Sequence, residues 1–280
     1  MSGATAETRK VALITGCSKG GIGFALCEEF AAQGIKVYAT ARKLEAMEGF
    51  AHSSISKLVL DVHSDENAKQ VVDTVIAECG HIDFLVNNAG AMCAGPIIDL
   101  SIDQIRQAFE TNTFSVVRMA KLVIPHMAKR KSGTVINIGS IVADIATPWN
   151  GMYSAAKAAV HAITDTLWME CKPFNVNVVL VSPGAVRSNI SANQQATFHL
   201  PEDTIYKDYI PQIMRRISAS QSSSNTMPTD EFARRVVQAV IKKNPPRYMS
   251  LGGNSTMFAL FKWLPKALVL GYLWRMFSKR

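Results

Sequence analysis

The sequence predicts an α/β protein with a doubly wound parallel sheet and helices on both of its faces. Short apolar runs rich in β-branched residues alternate with amphipathic stretches from residue 11 to about residue 185. The runs are apolar throughout, which is typical of parallel strands buried between two helix layers. No repeat or linker divides the 280 residues, of which 48% are hydrophobic. We therefore expect one domain over residues 1–254 and a tail over 255–280.

The predicted elements follow one another regularly along the chain. The strands are expected at 11–15, 36–40, 58–60, 84–86, 134–138 and 176–181. The amphipathic stretches predict helices at 24–33, 64–80, 101–129 and 153–172. Ser64 is a typical helix N-cap, and Gly34 is a typical helix stop. Because right-handed crossovers place such strands in one sheet, we expect a ligand site at their carboxyl ends.

The chain changes in character after residue 188. Residues 189–227 are polar and rich in Ser and Gln, which predicts a lid or substrate loop. A helix over 228–243 and an edge strand over 247–250 are expected to follow. The first ten residues lack the apolar stretch of a secretory signal, and five scattered cysteines indicate reduced thiols rather than a disulfide frame or a metal site. We expect a protein that faces the cytosol and holds no metal.

A glycine-rich turn follows the first strand. It reads Thr-Gly-Cys-Ser-Lys-Gly-Gly-Ile-Gly over residues 15–23 and leads directly into a helix. Glycines let the backbone approach a pyrophosphate, and the helix start offers free N–H groups to that anion. The strand–turn–helix context predicts a dinucleotide site, against the alternative of a turn without a ligand. The candidate residues in the turn are Gly16, Ser18, Lys19, Gly21, Ile22 and Gly23.

Charge at the end of the second strand indicates which dinucleotide is bound. An acid that binds the ribose 2′-hydroxyl of NAD usually stands there, but residues 40–43 read Thr-Ala-Arg-Lys. Arg42 and Lys19 suit the 2′-phosphate of NADPH instead. The alternative is that Arg42 and Lys43 are solvated charges at a helix start. We predict NADPH as the cofactor.

Tyr153 and Lys157 are the candidate reacting pair, because they stand four residues apart on one face of a predicted helix. A tyrosine with a pKa of about 10 is a poor acid at neutral pH, and a neighbouring ammonium lowers that pKa. Such a pair can give a proton to a carbonyl oxygen while hydride arrives from a nicotinamide. Ser140, at the end of the fifth strand, is placed to hydrogen-bond the same oxygen.

Together these motifs resemble the short-chain dehydrogenase/reductase family, whose fold is a Rossmann-like sheet. Besides the turn, Ser140, Tyr153 and Lys157, the matching positions are Asp61, Val62, Asn87, Asn88, Ala89, Gly90, Asn112, Pro183, Gly184, Val186 and Ser188. The resemblance implies that Tyr153 is the acid–base and that Ser140 orients the carbonyl. It also implies that Lys157 lowers the pKa of Tyr153 and binds the nicotinamide ribose, and that Asn112 holds a proton-relaying water.

The same resemblance implies cofactor contacts along the sheet edge. Asp61 and Val62 would contact the adenine, Asn88 would lie beside the adenosine ribose, and residues 183–188 would meet the nicotinamide. Ala89 and Gly90 follow Asn88 in the same motif and would also bind the cofactor. One departure concerns the turn, which is one residue longer than the family pattern Thr-Gly-x-x-x-Gly-x-Gly. This leaves open whether Gly20 or Gly21 lines the phosphates. Family members are often homodimers or homotetramers, so such an assembly is expected here.

Three stretches resemble a subgroup of NADPH-dependent 1-acyldihydroxyacetone-phosphate reductases, namely the Gly-Gly-Ile-Gly spelling, residues 169–175 and the apolar, basic C-terminus. This implies hydride transfer to the ketone of a lipid-like substrate, above all 1-acyldihydroxyacetone phosphate. The alternatives are a hydroxysteroid, retinoid or terpenoid dehydrogenase and a non-catalytic nucleotide-binding scaffold. Substrate candidates are Phe198, Tyr206 and Tyr209 for an apolar wall and Arg215 and Arg216 for an anionic head group, unless these are ordinary lid packing and a solvated face.

The positive charge of the chain is concentrated at its end. The formal charge is +8, yet the last acidic residue is Glu231, and ten basic residues follow it. A near-neutral body with a basic, apolar tail argues against nucleic acid and favours a membrane surface. We expect two short helices separated by Pro265, bound peripherally to the endoplasmic reticulum or a lipid droplet. The alternatives are packing on the domain or in a dimer interface, and a wall for a lipid-sized pocket.

Overall fold

A parallel seven-stranded sheet forms the centre of the computed structural model, which describes residues 9–222 and 224–278. The strand order is β3-β2-β1-β4-β5-β6-β7. The strands are β1 (Val11–Thr15), β2 (Lys36–Ala41), β3 (Ile55–Val59), β4 (Phe84–Asn87), β5 (Thr134–Ile138), β6 (Asn177–Pro183) and β7 (Tyr248–Leu251). Every neighbouring pair is parallel. The predicted doubly wound sheet is confirmed.

Helices cover both faces of this sheet. They are α1 (Ile22–Ala32), α2 (Asp65–Cys79), α3 (Ile102–Phe109), α4 (Ser115–Arg130), α5 (Gly151–Glu170), α6 (Ile190–Thr197), α7 (Ile210–Ser222), α8 (Thr229–Val240), α9 (Ser255–Phe261) and α10 (Lys266–Ser278). One core layer contains Phe30 of α1 and Phe232 of α8, and the other contains Val72 of α2 and Met119 of α4. Because the central strands lie between these layers, they are apolar on both faces.

Local signals set the ends of the helices around the site. The Ser64 hydroxyl accepts the Asn67 N–H at the start of α2, and Gly80 ends that helix in the left-handed conformation. The predicted helix over 101–129 is interrupted by a π-helical turn, Glu110–Phe114, which separates α3 from α4. Asn112 lies buried within this turn. A π turn inserts one extra residue into the helical ladder and often occurs at functional sites.

The segment 189–227, predicted as a loop, contains the two helices α6 and α7. The segment is polar overall, but it contains a short apolar stripe. Ile213 and Ile217 lie four residues apart on one face of α7, and both are fully buried. They pack in a cluster with Trp149, which lies just before α5. The prediction of a loop was therefore wrong in its secondary structure, although residues of the segment line the cavity at the carboxyl edge of the sheet.

The tail folds into two helices with Pro265 between them, as predicted. Helix α10 packs on α7, and the ring centres of Trp274 and Trp149 lie 5.8 Å apart. At the end of α9, Lys262 forms an ion pair with Asp144 at 2.5 Å. The tail therefore packs on its own domain, which was one of the alternatives, while its outer face stays exposed.

Several sequence expectations concern the ends of the chain and its cysteines. Lys279 and Arg280, two of the ten basic residues that follow Glu231, lie outside the described residues. The same is true of residues 1–8, which belong to the N-terminal segment in which no secretory signal was expected. All five cysteines are free. Within residues 9–222 and 224–278, no group of three His, Cys, Asp or Glu is placed to hold a metal ion. In the same part of the chain, no helix combines the length and apolarity needed to cross a bilayer.

Candidate active site

A cavity of about 790 Å³ opens at the carboxyl ends of the strands. The strand order reverses between β1 and β4, and ligands of doubly wound sheets bind at such a point. All but one of the residues predicted to bind the cofactor line this cavity. They are Gly16, Ser18, Lys19, Gly21, Ile22, Arg42, Asp61, Val62, Asn88, Ala89, Gly90, Tyr153, Lys157, Pro183, Gly184, Val186 and Ser188.

The glycine-rich turn contains two residues with positive φ, Gly16 at 73° and Gly20 at 76°. A Cβ on Gly20 would lie 2.7 Å from the side-chain nitrogen of Asn189, and that amide donates to the Lys19 carbonyl at 2.8 Å. Gly21 is then the N-cap of α1 and lines the cavity. The longer turn is thus accommodated by a left-handed Gly20, and Gly21 is the glycine that faces the cavity.

The start of α1 has the properties of an anion site. No side chain caps the helix, and its first turn contains no acid, so its backbone N–H groups and the positive end of the helix dipole remain available. Lys19 and Arg42 line the same end of the cavity. The Lys19 ammonium lies over Gly49, where an added Cβ would be 3.1 Å from it. These groups fit the phosphates of a dinucleotide.

Gly23 and Asn88 hold the turn against β4. A Cβ on Gly23 would lie 2.5 Å from both the Gly16 carbonyl oxygen and the Asn88 side-chain nitrogen, so Gly23 sits behind the turn rather than on the cavity wall. The Asn88 amide donates to the carbonyls of Thr15 and Gly16, at 2.9 and 3.0 Å. Only glycine at position 23 permits this close approach.

Ser140, Tyr153 and Lys157 meet on one wall of the cavity. A hydrogen bond joins the side chains of Ser140 and Tyr153. Lys157 lies one turn after Tyr153 in α5, and its ammonium is 6.0 Å from the centre of the tyrosine ring. The buried ammonium donates to the Ile138 carbonyl at 2.8 Å. The fold therefore brings together the hydroxyl, phenol and ammonium that the sequence predicts.

Burial changes the ionisation of this group. It raises the pKa of Tyr153, while the hydrogen bond from Ser140 and the charge of Arg216 act in the opposite direction. Burial also lowers the pKa of Lys157 from 10.5 to about 8. At neutral pH the phenol thus keeps its proton, and Lys157 is a cation in a poorly solvated position. The site is arranged to donate a proton from Tyr153.

Asn112 lies behind the catalytic wall. Its side-chain nitrogen donates to the carbonyls of Ala91 and Ala108, each at 2.8 Å, and its oxygen accepts the Ala91 N–H at 3.2 Å. A Cβ on Gly90 would lie 2.9 Å from the Asn112 side-chain oxygen and 3.4 Å from the Lys157 ammonium. Gly90 therefore keeps the space between these two side chains open, and the water relay from Asn112 to Lys157 stays a prediction.

The five predicted substrate residues separate into two groups. Arg215 and Arg216 line the cavity. Phe198, Tyr206 and Tyr209 pack instead in an apolar cluster with Trp149, behind the wall. Thr147 and Asn150 also line the cavity and were not predicted, because no local motif marks them. Met257, Phe258, Met276 and Phe277 of the tail line it as well, in agreement with the alternative that the tail forms a pocket wall.

Comparisons with known proteins agree with this geometry. The family model for short chain dehydrogenases matches residues 10–198. An NADPH-dependent 1-acyldihydroxyacetone phosphate reductase of Schizosaccharomyces pombe is 34% identical over 260 residues, which are 91% of this chain and 83% of that protein. A 3-ketodihydrosphingosine reductase of Bacteroides thetaiotaomicron is 32% identical over 258 residues, 91% of this chain and 93% of that protein.

The solved structures give the same result. The crystal structure of a short-chain dehydrogenase from Streptomyces avermitilis superposes with a TM-score of 0.79 at 29% identity, covering 96% of this chain and 97% of the other. Fold, motifs and sequence likeness over most of the chain thus point to one family. This chain belongs to the short-chain dehydrogenase/reductase family and is an oxidoreductase.

Proposed function

We propose that this protein is an NADPH-dependent carbonyl reductase that transfers hydride to the ketone of a lipid-like substrate. The observation that carries this proposal is the make-up of a single cavity. The phenol of Tyr153 shares it with the anion site at the start of α1, and its outer wall is apolar. That wall contains Met257 and Phe258 of α9 and Met276 and Phe277 of α10.

The chemistry follows from the side chains on the catalytic wall. NADPH, when bound, supplies the hydride. Tyr153 gives its phenolic proton to the carbonyl oxygen, and Ser140 holds that oxygen through a second hydrogen bond. The phenolate that remains on Tyr153 is stabilised by the charges of Lys157 and Arg216.

The preference for NADPH over NADH rests on charge at the end of β2. Residues 40–43 contain no acid, and Arg42 and Lys19 line the cavity there. A guanidinium and an ammonium suit a ribose 2′-phosphate better than a hydroxyl. Residue 42 is therefore the position at which we expect cofactor choice to be decided.

1-Acyldihydroxyacetone phosphate is the ketone that we favour. The relative from Schizosaccharomyces pombe carries that substrate in its name. The acyl chain suits the apolar wall, and the phosphate suits Arg215 and Arg216. A long-chain keto base is the second candidate, because the relative from Bacteroides thetaiotaomicron is named for 3-ketodihydrosphingosine.

We also propose that the outer face of α9 and α10 binds peripherally to a lipid surface, such as the endoplasmic reticulum or a lipid droplet. This tail patch combines exposed apolar side chains with Lys262, Lys266 and Arg275, and no acid follows Glu231. Apolar and basic surfaces of this kind insert at anionic interfaces. The exposed apolar members are Leu260, Trp263, Leu264, Leu268, Leu270 and Tyr272.

A ketone panel followed by NADPH oxidation tests the catalytic proposal. We expect turnover of 1-acyldihydroxyacetone phosphate, weaker turnover of steroid and terpenoid ketones, and none after Tyr153→Phe. The control is NADPH binding, which Tyr153→Phe should leave in place. A protein that binds NADPH but reduces no long-chain ketone in the panel would instead be the nucleotide-binding scaffold.

A further inference from the structure

Arg216 is a buried cation that lacks a carboxylate partner among residues 9–222 and 224–278. It is 8% exposed. Its Nε donates to the Thr147 hydroxyl at 2.8 Å, and its guanidinium lies 5.3 Å from the centre of the Phe277 ring. Burial lowers the pKa of Arg216 to about 10, so the group stays charged at neutral pH. A neutral hydroxyl and an aromatic face do not balance that charge.

Such an arrangement is unfavourable unless an anion completes it. Removing a charge from water costs free energy that a neutral hydrogen bond offsets only in part. A guanidinium presents five N–H donors in a fork that matches a phosphate or a carboxylate. Arg216 uses its Nε–H on Thr147, and it lines the cavity. The two terminal nitrogens are the donors left for a ligand.

The position of Arg216 determines where a bound anion would lie relative to the reacting carbonyl. Arg216 projects from α7 and Tyr153 from α5, and both side chains line the same cavity, where the guanidinium favours the phenolate form of Tyr153. A group bound by Arg216 therefore lies close to the oxygen that Tyr153 protonates. The apolar wall of α9 and α10 lines the same cavity and is available to the acyl chain of a lipid, and Phe277 of this wall packs against the Arg216 guanidinium.

We propose that Arg216 and Thr147 form an anion subsite beside Tyr153, which selects lipid ketones carrying a negative charge next to the carbonyl. This inference rests on the proposed reductase function and refines its substrate class. In 1-acyldihydroxyacetone phosphate, the carbon next to the ketone bears the phosphate ester. In 3-ketodihydrosphingosine, the carbon next to the ketone bears a protonated amine. The subsite attracts the first compound and repels the second, which separates the two candidate substrates.

Kinetics of Arg216→Gln test the subsite. For 1-acyldihydroxyacetone phosphate we expect kcat/KM to fall about 30-fold or more, mostly through KM, since one partner of a charge pair is lost. For the dephosphorylated ketone of the same acyl chain, kcat/KM should fall at least about tenfold less, and through kcat alone, because that substrate loses only the stabilisation of the Tyr153 phenolate. Turnover of 3-ketodihydrosphingosine should rise. Arg216→Lys should recover part of the loss, and equal losses on charged and neutral ketones would overturn the proposal.

A matched control is available in Arg235→Gln. Arg235 lies on α8, is half exposed and pairs with Glu231 at 2.5 Å, so its loss removes an equal charge that does not line the cavity. We expect this variant to behave as the wild type with every substrate. A fall with the phosphorylated ketone as large as that of Arg216→Gln would show a general charge effect and would also overturn the proposal.

A binding measurement separates the subsite from the proposed reaction. With NADP⁺ at saturation, sn-glycerol 3-phosphate should raise the Tm of the wild type and of Arg235→Gln, but not that of Arg216→Gln. NADP⁺ alone should stabilise all three proteins, which shows that each is folded. If the phosphate compound stabilises the wild type selectively while no phosphorylated ketone is reduced, the subsite stands and the proposed substrate falls. Equal stabilisation of all three proteins rejects the subsite.

Discussion

The indole N–H of Trp149 donates to the backbone carbonyl of Phe277 at 3.4 Å. This bond joins the last described turn of the tail to a residue two positions before the catalytic helix α5. The Trp149 side chain is buried, and the rings of Tyr209 and Trp274 pack on it with centres 5.5 and 5.8 Å away. Because Tyr153 follows four residues later, the tail supports the catalytic helix as well as the cavity wall.

Trp274→Ala is expected to lower both stability and activity. The substitution removes a ring that packs on Trp149, and we expect the free energy of unfolding to fall by about 2 kcal/mol because the ring is only partly buried. Trp263→Ala is the matched control, since that ring is 88% exposed. Thermal unfolding and kcat/KM on a small soluble ketone measure both effects. Equal results for the two variants would show that α10 does not support the site.

Arg42→Ala should change the choice of cofactor. Loss of the guanidinium removes a charged hydrogen bond to the 2′-phosphate, so we expect kcat/KM for NADPH to fall about 10- to 100-fold. The value for NADH should stay nearly constant. Lys43→Ala is the control, because both side chains are exposed but only Arg42 lines the cavity. An Arg42→Ala enzyme that keeps its full preference for NADPH contradicts the assignment.

Lys157→Met should abolish activity and stabilise the fold. Lys157 has a pKa of about 8 in the folded protein against 10.5 ordinarily, so holding its charge at pH 7 costs about 3 kcal/mol. The variant avoids this cost, but it also loses the hydrogen bond from Lys157 to the Ile138 carbonyl, which offsets part of the gain in stability. Denaturant unfolding at pH 7 should show a higher free energy of unfolding for the variant.

The pH dependence of that difference has a fixed sign. Between pH 8 and 10.5 the unfolded wild type holds more protons at Lys157 than the folded protein does, so wild-type stability rises relative to the variant. The advantage of Lys157→Met is complete below pH 8 and shrinks as the pH rises through this window. If the difference in free energy of unfolding between the variant and the wild type stayed constant from pH 7 to pH 10, burial would not disfavour the charged form of Lys157.

Local motifs made the sheet and the reacting group predictable from the sequence. Tyr153 and Lys157 need only the helical repeat to meet, and the glycine-rich turn needs only its neighbouring strand and helix. The anion subsite was harder, because Thr147, Arg216 and Phe277 come from three segments that only tertiary packing brings together. Arg216 was found through its charge, but its burial and its contact with Thr147 have no local signature.

Two features of secondary structure were missed for physical reasons. The π turn at Glu110–Phe114 adds one residue to an amphipathic pattern that otherwise reads as a continuous helix. Helix α7 has apolar residues at 210, 213, 214 and 217, which is a helical spacing, but this signal is short and lies within a segment rich in Ser and Gln. Tertiary packing explains the placement of Tyr206 and Tyr209, whose aromatic rings pack on Trp149 instead of lining the cavity.

The tail patch gives the last prediction. Trp263 and Leu268 are 88% and 68% exposed, and an acidic side chain at either position opposes insertion into an anionic lipid surface. The double variant Trp263→Glu/Leu268→Glu should no longer float with vesicles that contain phosphatidylserine, whereas the wild type should. Ile98→Glu is the control, because Ile98 is 70% exposed but belongs to another surface.

The activities of the same proteins show what this surface does for catalysis. All three should reduce a small soluble ketone equally, because neither Trp263 nor Leu268 lines the cavity. Only the double variant should lose activity on a ketone presented in vesicles, since α9 and α10 contribute both the docking face and the apolar wall. Flotation that survives the double substitution would exclude the tail patch as the contact. A wild-type dimer that the double variant converts to a monomer, without any flotation, would assign the patch to a subunit interface.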